Sequence, residues 1–245
     1  MSGTNIRENN AGMNILPTVT TISGMKWMDK IDEINRLELE EIAIFPTCLD
    51  AEKRKKLYGM LERSSVKRIP YVHLRCDMDI AEMEYLMRRF ETKVFNIHTS
   101  REFPFQCDYS KYAGLIYVEN IYYPLDEEEI KKFAGICVDF SHLENDRLLY
   151  KEKYEHNVSL IEKYKIGCNH LSAIKKETSH DDGSKYDRLN IRYDSHELGD
   201  LAEYDYLKNY PRRFFSDYLA IELENSIERQ LEAKKYLEKL IIKLK

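Results

Sequence analysis

Short apolar segments rich in β-branched residues alternate with amphipathic segments along almost the whole chain. Eight of the apolar segments have the length and composition of buried strands. The predicted strands are residues 14–22, 41–46, 69–74, 93–98, 115–119, 136–140, 166–170 and 218–224. In the segments between them apolar residues recur at helical spacing. The predicted helices are residues 25–40, 51–62, 80–90, 127–133, 148–163 and 226–244.

Strands that alternate with helices favour an α/β protein with a parallel sheet, and eight such units predict the (β/α)8 architecture of a TIM barrel. A length of 245 residues suits one barrel. Residues 1–12 are polar, so we expect a flexible amino-terminal extension there and a single TIM-barrel domain over residues 13–245.

Two places interrupt the alternation. Residues 99–114 contain Pro104 and lack a helical period, so we expect the fourth helix to be missing or reduced to a turn. Residues 172–210 form a long excursion between the seventh and eighth strands. Their polar, turn-rich middle, residues 178–184, predicts a mobile loop.

Charge and cysteine usage narrow the functional classes. No apolar run reaches the roughly 20 residues that a membrane helix needs. The five cysteines form no CxxC pair, which is typical of a reducing, cytoplasmic protein without a disulfide framework. The net charge of −5 supplies no general basic field for nucleic acid, although a local patch can still bind phosphate.

Two smaller patterns have ordinary structural interpretations. The Lys-Arg-Lys-Lys run at residues 53–56 is predicted to be a solvated helix face. Cys137 and Cys168 fall inside strands and are predicted to be small buried apolar side chains.

The candidate chemistry lies where the strands end. The third to eighth strands each end at or beside an imidazole or a carboxylate, in the order His73, His98, Glu119, Asp139, His170 and Glu222. In a barrel the carboxyl ends of the strands meet at one mouth. Adjacent buried carboxylates are costly unless a cation neutralises them. The sequence therefore predicts a divalent metal ion; imidazole and carboxylate together suit zinc, manganese, cobalt or iron, and magnesium is also a candidate.

Four short motifs resemble one known group of barrels. They are V-E-N at 118–120, G-I-C-V-D-F-S-H at 135–142, N-H-L-S at 169–172 and D-S-H-E-L-G at 194–199. Together they are similar to the xylose-isomerase-like superfamily, which includes sugar isomerases and epimerases and the endonuclease IV family of DNA-repair enzymes. The resemblance spans the third to eighth strands, about two-thirds of the chain.

The two branches of that superfamily imply different ligand sets. The isomerase branch implies one metal ion held by Glu119, Asp139, His170 and Glu222, with His142 beside the substrate or metal. The endonuclease IV branch implies three zinc ions on nine ligands, which match His73, His98, Glu119, Asp139, His142, His170, Asp194, His196 and Glu222. Thr99 stands where that branch usually has proline, and Leu171-Ser172-Ala173 replaces its Leu-Asn-Asp.

Three functions follow as hypotheses. The first is a metal-dependent isomerase or epimerase of a sugar or sugar phosphate, acting through a metal-stabilised enediolate. Glu119 and Glu222 would move the proton, and His142 and His196 would bind hydroxyls or carry a proton. This hypothesis predicts one bound ion, with His73 and His98 lining the pocket without metal.

The alternative is an endonuclease IV-like multi-zinc phosphodiesterase or abasic-site endonuclease, with nucleic acid as its partner and Glu119 bridging metals. The third hypothesis is a barrel that binds a ligand without catalysis. Arg75, Arg101 and Lys175 lie on predicted mouth loops and are candidates for binding phosphate or substrate. Glu224 competes with Glu222 as a ligand, because period-two alternation places both on one face of the predicted strand.

Overall fold

The computed structural model describes residues 13–22, 27–180 and 191–244. Its main element is a nine-stranded sheet in which every pairing is parallel, in the order β1-β11-β8-β7-β6-β5-β4-β3-β2. These strands are β1 (Asn14–Leu16), β2 (Thr18–Thr20), β3 (Glu41–Phe45), β4 (Arg68–His73), β5 (Val94–Ile97), β6 (Ile116–Glu119), β7 (Gly135–Asp139), β8 (Ile166–Leu171) and β11 (Tyr218–Ile221). A separate antiparallel pair is formed by β9 (Ala173–His180) and β10 (Ile191–Ser195).

Pro17 divides the first predicted strand into two short strands. It separates β1 from β2, which are the two opposite edges of the sheet but neighbours in the chain. Proline has no amide hydrogen to donate, so the first predicted strand is divided there. Its carbonyl still accepts from the Ala43 amide at 2.9 Å. The result is a nearly closed, barrel-like parallel sheet that is compatible with a TIM-like fold.

The helices surround this sheet. They are α1 (Trp27–Arg36), α2 (Ala51–Glu62), α3 (Ile80–Phe90), α4 (Glu127–Ile130), α5 (Phe140–Leu149), α6 (Lys151–Lys163) and α7 (Ile227–Ile241). Helices α2 and α3 have the predicted bounds, and each begins at an aspartate N-cap: Asp50 accepts from the Lys53 amide and Asp79 from the Glu82 amide. Within the described ranges, no helix combines the length and apolar character needed to cross a membrane.

The two irregular places turned out differently. Between β5 and β6 the one helical element is a 3-10 helix, Ser110–Leu115, which confirms the reduced fourth unit. The excursion at 172–210 is more regular than predicted, since its described residues form β9, β10 and one 3-10 helix, Leu201–Asn209. The loop prediction for residues 178–184 was wrong for residues 178–180, which belong to β9. The sequence concealed β9 because it is mostly polar and solvent-exposed. Residues 1–12 and 181–184 lie outside the described residues.

One helix was not predicted from the sequence. The predicted helix at 148–163 corresponds mainly to α6, whereas α5 begins directly after β7 and uses Asp139 as its N-cap. The pattern hid α5 because its buried face carries polar residues, among them Glu144, Asn145 and Asp146. This helix places His142 in its first turn, beside the end of β7.

Side chains fill the interior of the sheet, so the centre is packed. The inward-facing cluster consists of Leu16, Ala43, Phe45, Tyr71, Val94, Tyr117, Cys137, Cys168 and Ala220. Cys137 and Cys168 are fully buried, as predicted. The Tyr71 hydroxyl lies 3.2 Å from the Cys137 sulfur. This cluster forms the floor beneath the carboxyl ends of the strands.

The solvated-face prediction for residues 53–56 was wrong for Arg54, whose side chain is only 1% exposed. Arg54 lies on the inner face of α2, at helical spacing from the buried Leu57, Tyr58 and Leu61. Its Nε lies 2.7 Å from Glu82 Oε1, and one terminal nitrogen lies 3.1 Å from Asp77 Oδ2. The arginine therefore joins α2 to the start of α3 through buried ion pairs.

We predict that Arg54→Met lowers the free energy of unfolding by about 2 to 3 kcal/mol, because it leaves Asp77 and Glu82 without their buried cation. The neighbouring variant Lys53→Met is the control, since Lys53 is 62% exposed, and it should change stability by less than about 0.5 kcal/mol. Urea denaturation measures both. Equal effects of the two variants would contradict the structural role of Arg54.

We also predict that Gly167→Ala lowers the free energy of unfolding by about 1 to 3 kcal/mol through overpacking. A β-carbon at Gly167 would lie 2.0 Å from the Tyr117 ring carbon Cζ. The control is Gly114→Ala, where an added β-carbon meets nothing within 4 Å. Thermal denaturation that shows equal melting temperatures for the two variants would contradict the close approach of β8 to Tyr117.

Candidate metal centre

The six predicted strand-end residues lie at the same end of the sheet. His73, Glu119 and Asp139 are the last residues of β4, β6 and β7, and His170 lies near the end of β8. Register makes Asp139 and His170 direct neighbours on adjacent strands. Of the remaining two residues, His98 immediately follows β5 and Glu222 immediately follows β11.

Glu119 occupies the middle of this arrangement. Its Oε2 lies 3.1 Å from His73 Nε2 and 3.7 Å from His98 Nε2. The two imidazole Nε2 atoms are themselves 3.1 Å apart. The other oxygen, Oε1, lies 3.4 Å from His170 Nδ1. The two oxygens of one buried carboxylate therefore face two different groups of ligand-type atoms.

The second group surrounds His170. Its Nδ1 lies 3.2 Å from Glu222 Oε2 and 3.5 Å from Asp139 Oδ2, in addition to the contact with Glu119. All four residues are buried, and His170 and Asp139 have no exposed surface. These are the four residues that the isomerase branch implies as ligands of one metal ion.

A third group lies on the side of the mouth formed by α5 and β10. His142 Nδ1 lies 3.6 Å from Asp194 Oδ2, and His142 Nε2 lies 3.7 Å from Asp139 Oδ2. His196 Nε2 lies 3.7 Å from Glu222 Oε2. The Asn145 side chain accepts from the Tyr193 amide at 2.8 Å, which fixes β10 against α5. All nine residues of the endonuclease IV-like set thus surround one mouth.

The pattern of hydrogen bonds tests whether these residues fit a cation. Asp139 Oδ1 accepts from the Ser141 hydroxyl and the His142 amide, at 2.7 and 2.9 Å. Four buried atoms that face the groups have no hydrogen-bond partner among the described residues: Asp139 Oδ2, His170 Nδ1, Asp194 Oδ2 and Glu222 Oε2. Buried polar atoms normally have partners. Oxygen and imidazole nitrogen atoms that converge without partners fit a divalent cation.

The electrostatics of the mouth also suit metal ligands. Burial opposes ionisation of Glu119 and Asp139, but neighbouring imidazoles outweigh burial and hold the pKa of both carboxyls below the usual range. Burial lowers the pKa of His98 to about 3, so this imidazole is neutral near pH 7. Anionic carboxylates and a neutral imidazole are the protonation states that bind metal. The surrounding anionic groups outweigh burial and raise the pKa of His170, and they raise the pKa of His196 to about 9, so these two imidazoles would release a proton when metal binds.

Two asparagines that the sequence analysis did not name as site residues hold the candidate ligands in place. Asn96 Nδ2 donates to Glu119 Oε2 at 2.5 Å. Asn120 brackets Asp139, because its Nδ2 donates to the Asp139 carbonyl and its Oδ1 accepts from the Asp139 amide, both at 3.0 Å. Asn120 is the last residue of the V-E-N motif, and Asn96 precedes His98 by two positions. Their positions beside predicted site residues could have identified both asparagines from the sequence.

The candidate phosphate-binding residues are not among the ligand groups. Arg75 Nε lies 2.8 Å from Asp77 Oδ1, and Lys175 Nζ lies 2.7 Å from Glu203 Oε2. Arg101 lies over the Tyr123 ring, 4.0 Å from its centroid. Each cation contacts a neighbouring side chain of the protein.

Arg192 is a further cation at the mouth that the sequence analysis did not single out. One of its terminal nitrogens lies 3.9 Å from Asp194 Oδ2. It precedes Asp194 by two residues in β10, and the pairing of β10 with β9 shifts register between them, so strand periodicity did not indicate their contact.

The two glutamates after β11 diverge. The strand ends at Ile221, earlier than predicted, so period-two alternation does not extend to residue 224. Glu222 faces His170, whereas Glu224 Oε1 accepts from the Ile22 amide at 3.0 Å. The Glu224 amide donates to the His196 carbonyl at 2.6 Å. Glu224 thus links the His196 loop to the segment that follows β2.

Comparison with known proteins adds no family assignment, because no protein-family model matches the chain and no curated protein is significantly similar to it in sequence. The geometry of the mouth therefore carries the functional argument.

We predict that zinc or manganese raises the melting temperature of the protein and that a chelator reverses the rise, since a ligand that binds only the folded state stabilises it. Asp139→Asn should weaken metal binding by at least about 10-fold while retaining an oxygen for the N-cap of α5. Calorimetric titration with zinc, and melting curves with and without chelator, measure both effects.

The matched control is Asp50→Asn, which changes an N-cap aspartate on α2, away from the mouth. It should leave the metal affinity unchanged. A zinc affinity that is the same in both variants would contradict the assignment of Asp139 as a ligand.

Proposed function

We propose that the chain is a multinuclear metal-dependent phosphodiesterase on a (β/α)8 TIM barrel of the xylose-isomerase-like superfamily, with the ligand set of its endonuclease IV branch. The observation that carries the proposal is the position of Glu119 between two ligand groups. Oε2 faces His73 and His98, and Oε1 faces His170. A carboxylate in this position suits a bridge between two cations, which is more than the single ion of the isomerase hypothesis.

The surrounding residues complete the proposed binding set. His73 and His98 would hold the cation on one side of Glu119; Asp139, His170 and Glu222 would hold the other. His142, Asp194 and His196 would bind a third, on the side of α5 and β10. Divalent cations in such clusters supply Lewis acidity and lower the pKa of bound water, and they stabilise the attacking and leaving oxygens of a phosphoryl displacement.

The charge of the set supports an anionic substrate. Its four carboxylates are Glu119, Asp139, Asp194 and Glu222, and they neutralise two divalent cations. With a third cation the mouth becomes positive, which favours binding of a phosphodiester despite the acidic net charge of the chain. With one cation the mouth stays negative and suits an uncharged sugar better.

The second candidate is the sugar isomerase or epimerase. It is favoured by one observation, the convergence of Glu119, Asp139 and Glu222 on His170 Nδ1 within 3.5 Å. These four residues alone suffice for one cation. Glu119 and Glu222 would then remove and return a proton on the substrate carbon, with His142 and His196 at its hydroxyls.

Metal stoichiometry separates the two candidates. We predict two or three zinc ions per chain by elemental analysis, and hydrolysis of abasic-site DNA or bis(p-nitrophenyl) phosphate. His98→Ala should lose one ion and reduce hydrolysis by at least about 100-fold. The control is His180→Ala, since His180 is exposed on β9, and it should match the parent protein.

Other results would overturn the proposal. One ion per chain, together with aldose–ketose interconversion that His98→Ala retains, would establish the isomerase candidate. A chain without bound metal and without either activity would indicate a binding barrel.

A further inference from the structure

A pocket of about 270 Å³ adjoins the first ligand group. Both His73 and His98 contribute to its wall, so the pocket opens directly beside the proposed metal cluster. Its other principal lining residues are Cys48, Arg75, Ile97 and Phe103. The volume is near the lower end for ligand pockets, which suits one ring system.

Phe103 presents an aromatic face at this pocket. Its side chain is 38% exposed, and among the described residues it is the one aromatic side chain that is neither buried nor half-buried. The ring centroid lies 5.0 Å from that of His98, with 32° between the planes. An accessible aromatic ring beside a cluster of candidate ligands can serve as a stacking surface for a flat ligand.

The chain holds Phe103 in position although the segment lacks an α-helix. The Phe103 amide donates to the Thr99 carbonyl at 3.0 Å. Glu102 accepts from the amides of Tyr122 and Tyr123, at 2.8 and 2.9 Å, which ties the segment to the loop after β6. The aromatic face is thus preorganised for a ligand.

The pocket also contains one charged side chain, Arg75, whose charge is compensated. Arg75 donates to Asp77 and to the Thr47 carbonyl, so its guanidinium is held at the pocket with its charge compensated. Leu74 and Ile97 contribute apolar surface to the pocket. Such a pocket favours an uncharged flat ring with hydrogen-bonding edges over a second phosphate.

We infer that this pocket binds the nucleobase of a nucleotide adjacent to the cleaved bond, stacked on Phe103 with its edge toward Arg75. The inference rests on the proposed phosphodiesterase function and defines its substrate class. Base stacking on an aromatic side chain is tolerant of sequence, so we expect a preference for a base without strong discrimination among bases.

Direct binding tests the pocket independently of catalysis. With zinc-loaded protein, thymidine should bind, and Phe103→Ala should weaken its binding by about 10-fold. Phe103→Tyr should retain it, and 2-deoxyribose, which lacks the base, should be insensitive to both changes. The control for a general loss of apolar surface is Ile242→Ala. Ile242 is the exposed C-cap residue of α7 and does not line the pocket. Zinc content is measured for every variant.

Hydrolysis supplies the second arm. Phe103→Ala should raise KM for thymidylyl-thymidine about 10-fold, and it should leave KM for a phosphodiester without bases unchanged. Equal effects on both substrates, or thymidine binding that Phe103→Ala does not weaken, would overturn the inference while hydrolysis still supported the proposed function. Thymidine binding that depends on Phe103, without any phosphodiester hydrolysis, would retain the pocket and overturn the proposed function.

Discussion

Four carboxylates and five imidazoles converge at one end of the sheet, and their mutual burial is the constraint on which this part of the structure depends. Glu119, Asp139 and Glu222 are kept anionic by neighbouring imidazoles in a volume that water scarcely reaches. A polypeptide tolerates such crowding when a compensating charge is available. The unpartnered atoms around His170 are the local sign of that requirement.

The rest of the barrel serves to hold these groups at short distances. The packed interior from Phe45 to Tyr71 and Cys137 gives the mouth a rigid floor. Asn120 links the ends of β6 and β7 through the backbone of Asp139. Because Asp139 also caps α5, the helix that carries His142 is oriented by the same carboxylate that faces His170. Ligand placement and local folding are therefore coupled.

Interatomic distances, rather than residue types, distinguish a site for one metal ion from a site for several. The same two histidines, His73 and His98, are expected whether they line a sugar pocket or bind metal. Their Nε2 atoms, 3.1 Å apart and both directed at Glu119 Oε2, favour the metal interpretation. Under the proposed function, the pocket beside them, with Phe103 at its edge, would receive a group attached to the phosphate.

The sequence alone predicted the α/β alternation, the reduced fourth unit and the gathering of imidazoles and carboxylates at the strand ends, because period and strand ends are local properties of the chain. It mispredicted Arg54, α5 and the β9–β10 pair, where polar residues are buried by tertiary contacts or form an exposed hairpin. Only the tertiary structure distinguished Glu222 from Glu224 and placed Glu119 between two groups. Those outcomes depend on side-chain directions and on strands distant in sequence, which no local pattern encodes.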